Sequence, residues 1–466
     1  MRTLPPLAGG TDGPDALRPL LDTVLDALRT GGANRGGPLP PGGPETVAAR
    51  VEEAAGDPLP EHGTGAETAL RTLVTALTEG AADPADPLCA AHLHCPPLAV
   101  ATAADLAASA LNPSMDSWDQ APAASTLETL ITSALAREVY PDTETDTGTA
   151  PDALVTTGGT EANQLAVLLA RETTRTTRPV QLITGANAHH SLTRAVWLLG
   201  LPEPIVLPTP NGTLDPATLD EALTDLPGPH LVAATAGTTD AGLIDPLPEI
   251  ADRCTAHGAR LHIDAAYGAG LLLSPRHRAK LTGLARAHTV TLDLHKLGWQ
   301  PVAAGLLAVR RPTDLAPLTH QADYLNADDD TEAGLPDLLG RSLRTTRRPD
   351  ILKIAVTLKA LGRTGIAALV DQVIALAHHL ARLVDLHPGL DLYDTPTLTT
   401  VLFRPTGASD DDIADIRRSL LTEGRAVLGR ARIDGHLWLK ATLLNPHTDP
   451  GDLAALLKLV EGHTPR

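Results

Sequence analysis

Through the middle of the chain, short apolar runs alternate with longer stretches of helical period. The runs are Ala153–Thr156, Val180–Thr184, Leu231–Thr235, Arg260–Ile263, Thr289–Leu292 and Gly305–Val309. Runs of this length suit strands, and their alternation with helices predicts a largely parallel sheet with helices on its faces. Towards the N-terminus, Asp15–Leu28 carries the amphipathic period of one helix. Gly31–Pro44 is rich in Gly and Pro and reads as a loop, after which helical pattern resumes from Glu45 to about Thr78. Beyond the apolar runs, the acidic Asp328–Glu332 gives way to the basic Arg341–Lys353. From about Leu361 a helix–strand–helix–strand order predicts a smaller α+β unit, and no internal repeat is visible.

Composition narrows the function classes. The 466 residues are 43% hydrophobic and 20% charged, as in a globular protein. A formal net charge of −19 argues against non-specific binding to nucleic acid or an anionic membrane. No run approaches the ~18 consecutive apolar residues of a membrane helix. The start, Met1-Arg-Thr-Leu-Pro-Pro-Leu, lacks the apolar core of a signal peptide, so a cytoplasmic location is expected. Three cysteines without a regular framework agree with a reducing compartment. Lysine is scarce: only Lys280, Lys296, Lys353, Lys359, Lys440 and Lys458 occur, and arginine fills the other basic positions. Unlike arginine, lysine can lose its proton and act as a nucleophile.

Five polar clusters follow the predicted strands. Thr289–Leu292 runs into Asp293, His295 and Lys296, at the strand edge where open α/β sheets bind ligands. A lysine there can form a Schiff base with a carbonyl cofactor, or it is a solvated lysine after a strand. Leu261-His-Ile-Asp264-Ala-Ala-Tyr267-Gly268 puts a carboxylate at the previous strand end, either as partner of a pyridine nitrogen or as a helix cap. Thr156-Thr-Gly-Gly-Thr-Glu-Ala-Asn163 joins a strand to a helix through glycines and offers free N–H groups to a phosphate. It is neither a Walker loop nor a dinucleotide fingerprint. Asn187-Ala-His-His-Ser191 supplies imidazoles that could stack on a flat ring, and Ala236-Gly-Thr-Thr239 is a fifth strand end.

In this order the five motifs resemble the group II amino-acid decarboxylases, which depend on pyridoxal phosphate (PLP) and have the aspartate-aminotransferase (type I) fold. The resemblance spans roughly residues 86–450. It implies an N-terminal helical dimerisation segment (1–85), a large PLP-binding α/β domain with a mostly parallel sheet (86–360) and a small C-terminal α+β domain (361–466). It casts Lys296 as the Schiff-base lysine, Asp264 as the pyridinium partner and His189 as the ring-stacking histidine. Gly158, Gly159 and Thr160 match the phosphate turn, Thr239 and Ala266 match cofactor-contacting positions, and His295 matches the histidine before the lysine. Asp293 falls where some relatives place Asn near the phosphate, so its carboxylate is expected to point away or to bond through water. Tyr324, in Gln321-Ala-Asp-Tyr-Leu-Asn326, resembles the tyrosine of a mobile loop that protonates the product carbanion in the neighbouring subunit. Arg347 matches an arginine facing the substrate carboxylate, whereas Arg348 is expected to be structural.

Asn112–Gln120, His295–Pro301, Ala322–Asn326 and Thr442–His447 are similar to the L-2,4-diaminobutyrate decarboxylase branch. The resemblance therefore implies a homodimer that converts a small acyclic L-amino acid, above all L-2,4-diaminobutyrate, to the amine (1,3-diaminopropane) and carbon dioxide. Decarboxylation of lysine, ornithine or another aliphatic amino acid, and a non-decarboxylating PLP reaction, stay open. Relatives begin the first motif with His-Pro and an aromatic, but here it reads Asp86-Pro-Leu-Cys89. Asp86, if it faces the pocket, could pair with a distal ammonium. Cys89, His92, His94 and Cys95 are potential zinc ligands at an awkward spacing, and no metal is expected.

Overall fold

The computed structural model describes residues 4–141, 148–174 and 178–464. It divides into two compact units. One comprises residues 97–374 and 396–399; the other comprises the chain up to residue 96, 375–395 and the chain from 400 onward.

The second unit opens with three helices: α1 (Gly13–Arg35), α2 (Gly43–Ala55) and α3 (Ala66–Glu79). Helix α1 runs through Gly31 and Gly32, which composition alone assigns to a loop. The reason is packing: a Cβ on Gly31 would stand 2.6 Å from the Thr75 carbonyl, so the missing side chain lets α1 lie close against α3. The expected continuous helical stretch from Glu45 to Thr78 is instead two helices, parted between Gly56 and Gly65.

The large unit begins with α4 (Ala99–Leu111) and α5 (Pro122–Val139). Then follow β1 (Asp152–Thr156), α6 (Gly159–Thr173), β2 (Gln181–Gly185), α7 (Ser191–Leu198), β3 (Ile205–Leu207), α8 (Pro216–Asp225) and β4 (His230–Thr235). Its sheet is completed after α9 (Leu247–Ala256) by β5 (Arg260–Asp264), β6 (Thr289–Asp293) and β7 (Gly305–Val309). The strand order is β1-β7-β6-β5-β4-β2-β3. Only β7 runs against its neighbours, so the sheet is mostly parallel, as expected. Strands β4, β6 and β7 are buried at every position, the pattern of a sheet covered on both faces. Leucine, valine and alanine do the packing: Leu154, Leu165, Leu169 and Leu307 form one cluster, and Val167, Leu182, Leu192 and Leu231 another.

After the short helices α10 (Asp323–Asn326) and α11 (Asp328–Glu332) comes α12 (Ile351–Asp385), interrupted at Gly362, whose φ is 62°. This helix is long and apolar enough to cross a membrane by length and composition alone. Its apolar positions are nonetheless spent on protein cores: Val370, Val373 and Ile374 are buried in the large unit, and Leu376, Ala377, Leu380 and Val384 join the core of the other.

That other unit continues with β8 (Leu390–Leu392), β9 (Thr400–Pro405), α13 (Asp410–Thr422), β10 (Gly429–Ile433), β11 (His436–Thr442) and α14 (Pro450–His463). Its sheet is antiparallel, in the order β10-β11-β9-β8. Capping boxes start α13 at Ser409 and α14 at Asp449. The chain passes between the compact units at 96/97, 374/375, 395/396 and 399/400, the first two displaced from the expected 85/86 and 360/361. The first displacement has a local cause. Ala90 N–H donates to the Val427 carbonyl and Thr442 N–H to that of Ala90, so residues around Cys89 are tied to this unit.

Candidate active site

The parallel strands end in polar residues at one edge of the large sheet. In register, Thr235 of β4 lies beside Asp264 of β5, and Asp264 lies beside Thr291 of β6. Beyond β6 the chain turns sharply and brings Lys296 back over the strand end. Lys296 Nζ is 2.9 Å from Asp293 Oδ2, and His295 Nε2 is 3.5 Å from the same oxygen. Asp293 does not point away, contrary to the expectation from charge repulsion. A Cβ on Gly159 would lie 3.1 Å from Asp293 Oδ2, and one on Gly158 would lie 3.7 Å from its Oδ1. The carboxylate therefore faces the glycine turn, held there by the ammonium three residues along the chain. Asp293 Oδ1 is buried and meets no hydrogen-bond partner among the described residues. Burial pushes the His295 imidazole below its ordinary range, against the pull of Asp293.

The glycine turn opens α6. Gly158 is the N-cap and no side chain caps the helix, which leaves its first N–H groups available to an anion. A Cβ on Gly158 would stand 3.0 Å from His295 Cε1, and one on Gly159 would stand 3.1 Å from Ala266 Cβ, so these glycines bound a space that side chains would fill. Thr160 is exposed in the first turn of the helix. Ala266 is buried, and its N–H donates to Asp264 Oδ1 at 3.0 Å.

Asp264 and His189 complete the cluster. Asp264 is buried, and its Oδ2 accepts from Asn163 Nδ2 at 2.7 Å. His189 Nδ1 lies 2.8 Å from Ser191 Oγ, and its ring is 4.1 Å from that of His190. Burial lowers the His189 pKa; Asp264 and Asp293 pull it up, while His190 and Lys296 push it down. Three of the groups that act on His189, namely Asp264, Asp293 and Lys296, are thus members of the same cluster.

Thr239 is exposed at the turn after β4; its neighbour Thr238 is buried and accepts from Leu243 N–H at 3.0 Å. Tyr324 is 82% exposed, too open to be packed in a site of its own chain. Arg347 needs correction. It is buried, and both arms of its fork are taken by Glu128, with Nη1–Oε2 at 2.6 Å and Nη2–Oε1 at 2.8 Å. The fork meant for a substrate carboxylate is occupied by a protein carboxylate. Asp86 accepts from Leu88 N–H at 2.8 Å, a local turn contact. Among the described residues no group of His, Cys, Asp or Glu is arranged to hold a metal ion.

Sequence reasoning missed three residues that organise the site. Asn163 closes the glycine motif, so its place was visible although its role was not. Ser191 follows the histidine pair. Asp245 is buried and accepts from Thr235 N, Leu214 N and Asn187 Nδ2, tying the end of β4 to two loops. Nothing in its neighbourhood beyond the following proline marked it.

Comparison with known proteins agrees with this geometry. The family described as "Pyridoxal-dependent decarboxylase conserved domain" matches residues 57–406. The chain is 40% identical over 424 residues to the L-2,4-diaminobutyrate decarboxylase of Rhizobium meliloti (strain 1021), spanning 88% of this chain and 84% of that protein. It is 30% identical over 435 residues to the L-2,4-diaminobutyrate decarboxylase of Acinetobacter baumannii, spanning 86% and 84%. Among solved structures, it is similar to the glutamate decarboxylase domain of diaminobutyrate-pyruvate transaminase and L-2,4-diaminobutyrate decarboxylase from Vibrio parahaemolyticus. That similarity has a TM-score of 0.86 at 27% identity, over 98% of this chain and 97% of the other. The residues also fit the cofactor. The space beside Gly158 and Gly159 at uncapped amides suits a phosphate, the amine of Lys296 lies at its rim, and Asp264 offers a buried carboxylate to a ring nitrogen. By sequence, fold and site, this chain belongs to the pyridoxal-dependent decarboxylase family and is a PLP-dependent amino-acid decarboxylase.

Proposed function

We propose that the chain decarboxylates L-2,4-diaminobutyrate to 1,3-diaminopropane and that it works as a homodimer. The substrate reading is carried by the two matches to diaminobutyrate decarboxylases, which extend over most of the chain. When bound, pyridoxal phosphate supplies an aldehyde for an amine and a ring that draws electrons from the substrate's α-carbon. The chain supplies the rest. Lys296 holds the cofactor through Nζ, and the N–H groups opening α6 orient its phosphate. The Asp264 carboxylate keeps a proton at the ring nitrogen, and His189 stacks on the ring. Tyr324, exposed on its own chain, delivers a proton in the site of a second copy.

Borohydride reduction of the purified protein followed by peptide mapping should label Lys296, and a label on another lysine overturns the assignment. Turnover of diaminobutyrate, ornithine, lysine, glutamate and L-DOPA should show the highest kcat/KM for diaminobutyrate, with amine and carbon dioxide formed in equal amounts. A preference for another amino acid replaces the substrate, and a keto product replaces the reaction class.

The dimer is supported by unspent apolar surface. Helices α2 and α3 bury no residue, and Leu73 and Leu77 of α3 are 50% and 70% exposed. Sedimentation should give twice the chain mass of 48.5 kDa, and Leu77→Glu should shift the population towards monomer. A wild-type monomer at micromolar concentration sinks this part of the reading.

A further inference from the structure

The buried polar groups behind the site form one connected set. Asn163 is fully buried. Its Nδ2 is 2.7 Å from Asp264 Oδ2 and 2.9 Å from Ser191 Oγ. Its Oδ1 is 3.0 Å from His262 Nε2 and 2.8 Å from Thr291 Oγ1. Ser191 Oγ is 2.8 Å from His189 Nδ1, and the Ser191 N–H reaches the same nitrogen at 3.3 Å. On the far side, His262 Nδ1 is 2.9 Å from Thr289 Oγ1.

The direction of each bond follows from one fact: an ionised carboxylate only accepts. The Asn163 atom facing Asp264 must therefore be the amide nitrogen. Its other end is then the carbonyl oxygen, which can only accept. So His262 Nε2 carries a hydrogen, and Thr291 donates its hydroxyl proton. A neutral His262 then has a bare Nδ1, which accepts from Thr289. The neutral form is the one expected, because burial pushes the His262 pKa down to about 4. On the other branch, Ser191 Oγ accepts from the second amide hydrogen and spends its own proton on His189 Nδ1. The Ser191 N–H also donates to Nδ1. Both donors meet the same nitrogen, so neutral His189 carries its hydrogen on Nε2.

We propose that Asn163 is a positioning residue, a single amide that ties Asp264 to His189 and holds His189 in the Nε2–H tautomer. It touches neither substrate nor cofactor in this role and acts through the two residues that do. The amide suits the task because it donates twice at one end and accepts twice at the other. Alanine would take a donor from Asp264 and Ser191 and an acceptor from His262 and Thr291, and aspartate would set a second acceptor against Asp264. Two strands and two helices are joined through this one side chain: β5, through Asp264 and His262, β6, through Thr289 and Thr291, and the starts of α6 and α7.

The inference rests on the reading that Asp264 and His189 hold pyridoxal phosphate, but part of its test does not need the cofactor. In cofactor-free protein with 15N-labelled histidine, the His189 signals, identified by their loss in His189→Gln, should show a protonated Nε2 and a bare Nδ1 near pH 7.5. Ser191→Ala should weaken that preference and let the Nδ1–H tautomer appear, the Ser191 N–H being the one donor left at Nδ1. Asn163→Ala should do the same and also weaken PLP binding, read by spectral titration, about tenfold or more, because a hydrogen bond to a charged group is lost. Ser191→Ala should weaken PLP binding less than Asn163→Ala, since the Asn163–Asp264 bond remains. Should Asn163→Ala fail to fold, the wild-type tautomer and the Ser191→Ala spectrum decide the matter. A wild-type Nδ1–H tautomer overturns the proposal, and so does a folded Asn163→Ala protein with wild-type tautomer and PLP affinity. A wild-type protein that takes up no PLP refutes the cofactor reading instead, and the tautomer result still stands for or against Asn163.

Discussion

Arg347 and Glu128 show how a single pair can be mistaken for a binding site. Their side chains are only 1% and 5% exposed, and the guanidinium meets the carboxylate with two parallel bonds. A buried charge deprived of its partner is costly, typically ~3–5 kcal/mol, whereas replacing both partners by apolar groups is often near neutral. Arg347→Met should therefore destabilise the protein by about that amount, read as a lower midpoint of thermal or urea unfolding. The double variant Arg347→Met/Glu128→Leu should recover most of the loss. A residue that binds the substrate carboxylate would behave differently: KM would rise while the unfolding midpoint stayed put, and the double variant would rescue nothing. Asp293 carries the same lesson at shorter range. Its nearest cation is three residues away, and that ion pair accompanies a carboxylate turned towards the glycine turn.

At the scale of elements, the site depends on how closely β7 approaches the glycine turn. A Cβ on Gly305 would meet Gly158 Cα and stand 2.6 Å from both Gly158 N and Thr156 Oγ1. Gly305→Ala must therefore displace the turn at Gly158. We expect PLP affinity to fall at least about tenfold, because the clash falls on the turn and on the Thr156 end of β1 in a close-packed interior. Unaltered PLP binding in this variant would show that the turn tolerates displacement. The six apolar runs predicted the strands to within a residue at each end, because buried parallel strands are continuous apolar sequence. Strand β3 escaped notice: three residues between Pro204 and Pro208 carry too little pattern. The reversal of β7 left only an indirect trace. The segment from β6 to β7 carries no helix, and a parallel neighbour would have needed a longer crossover. The placing of Lys296, Asp264 and His189 at one sheet edge was legible because each ends or follows a strand. The partnerships of Asn163 with Asp264 and of Arg347 with Glu128 were not, since they join positions 101 and 219 residues apart with no local pattern between them.

Across the whole molecule, buried titratable groups define the pH range in which the fold is most stable. Burial lowers the pKa of His262 and His288 to about 4 and also lowers those of His189, His230, His277 and His295. Below the ordinary histidine value of 6.5, the unfolded chain binds protons at these sites that the folded chain refuses. Stability therefore rises with pH through this window and is lost as pH falls from 6.5 towards about 4. Asp245 and Asp350 oppose the trend, because burial raises their pKa and the folded chain accepts their protons more readily. The histidines outnumber them. A tenfold change in a group's proton affinity between folded and unfolded chain corresponds to ~1.4 kcal/mol, so a net loss on the order of a few kcal/mol is expected. On the alkaline side, burial raises Cys89 to about 11 and Cys254 to about 12, both from 9.0. Unfolding then releases protons that folding retains, and stability falls again as pH rises past 9.0. Thermal unfolding across pH 4.5–10 should therefore give a plateau between 6.5 and 9.0 with a fall on either side. His288 is the group to remove, because its pKa is lowered to about 4 by burial and Gln at this position does not titrate. His288→Gln should leave the plateau nearly level with wild type and make the acid limb less steep. An unfolding midpoint that stays constant from pH 6.5 down to 4.5, or an acid limb indifferent to His288→Gln, would mean that carboxylates rather than buried histidines set the acid edge.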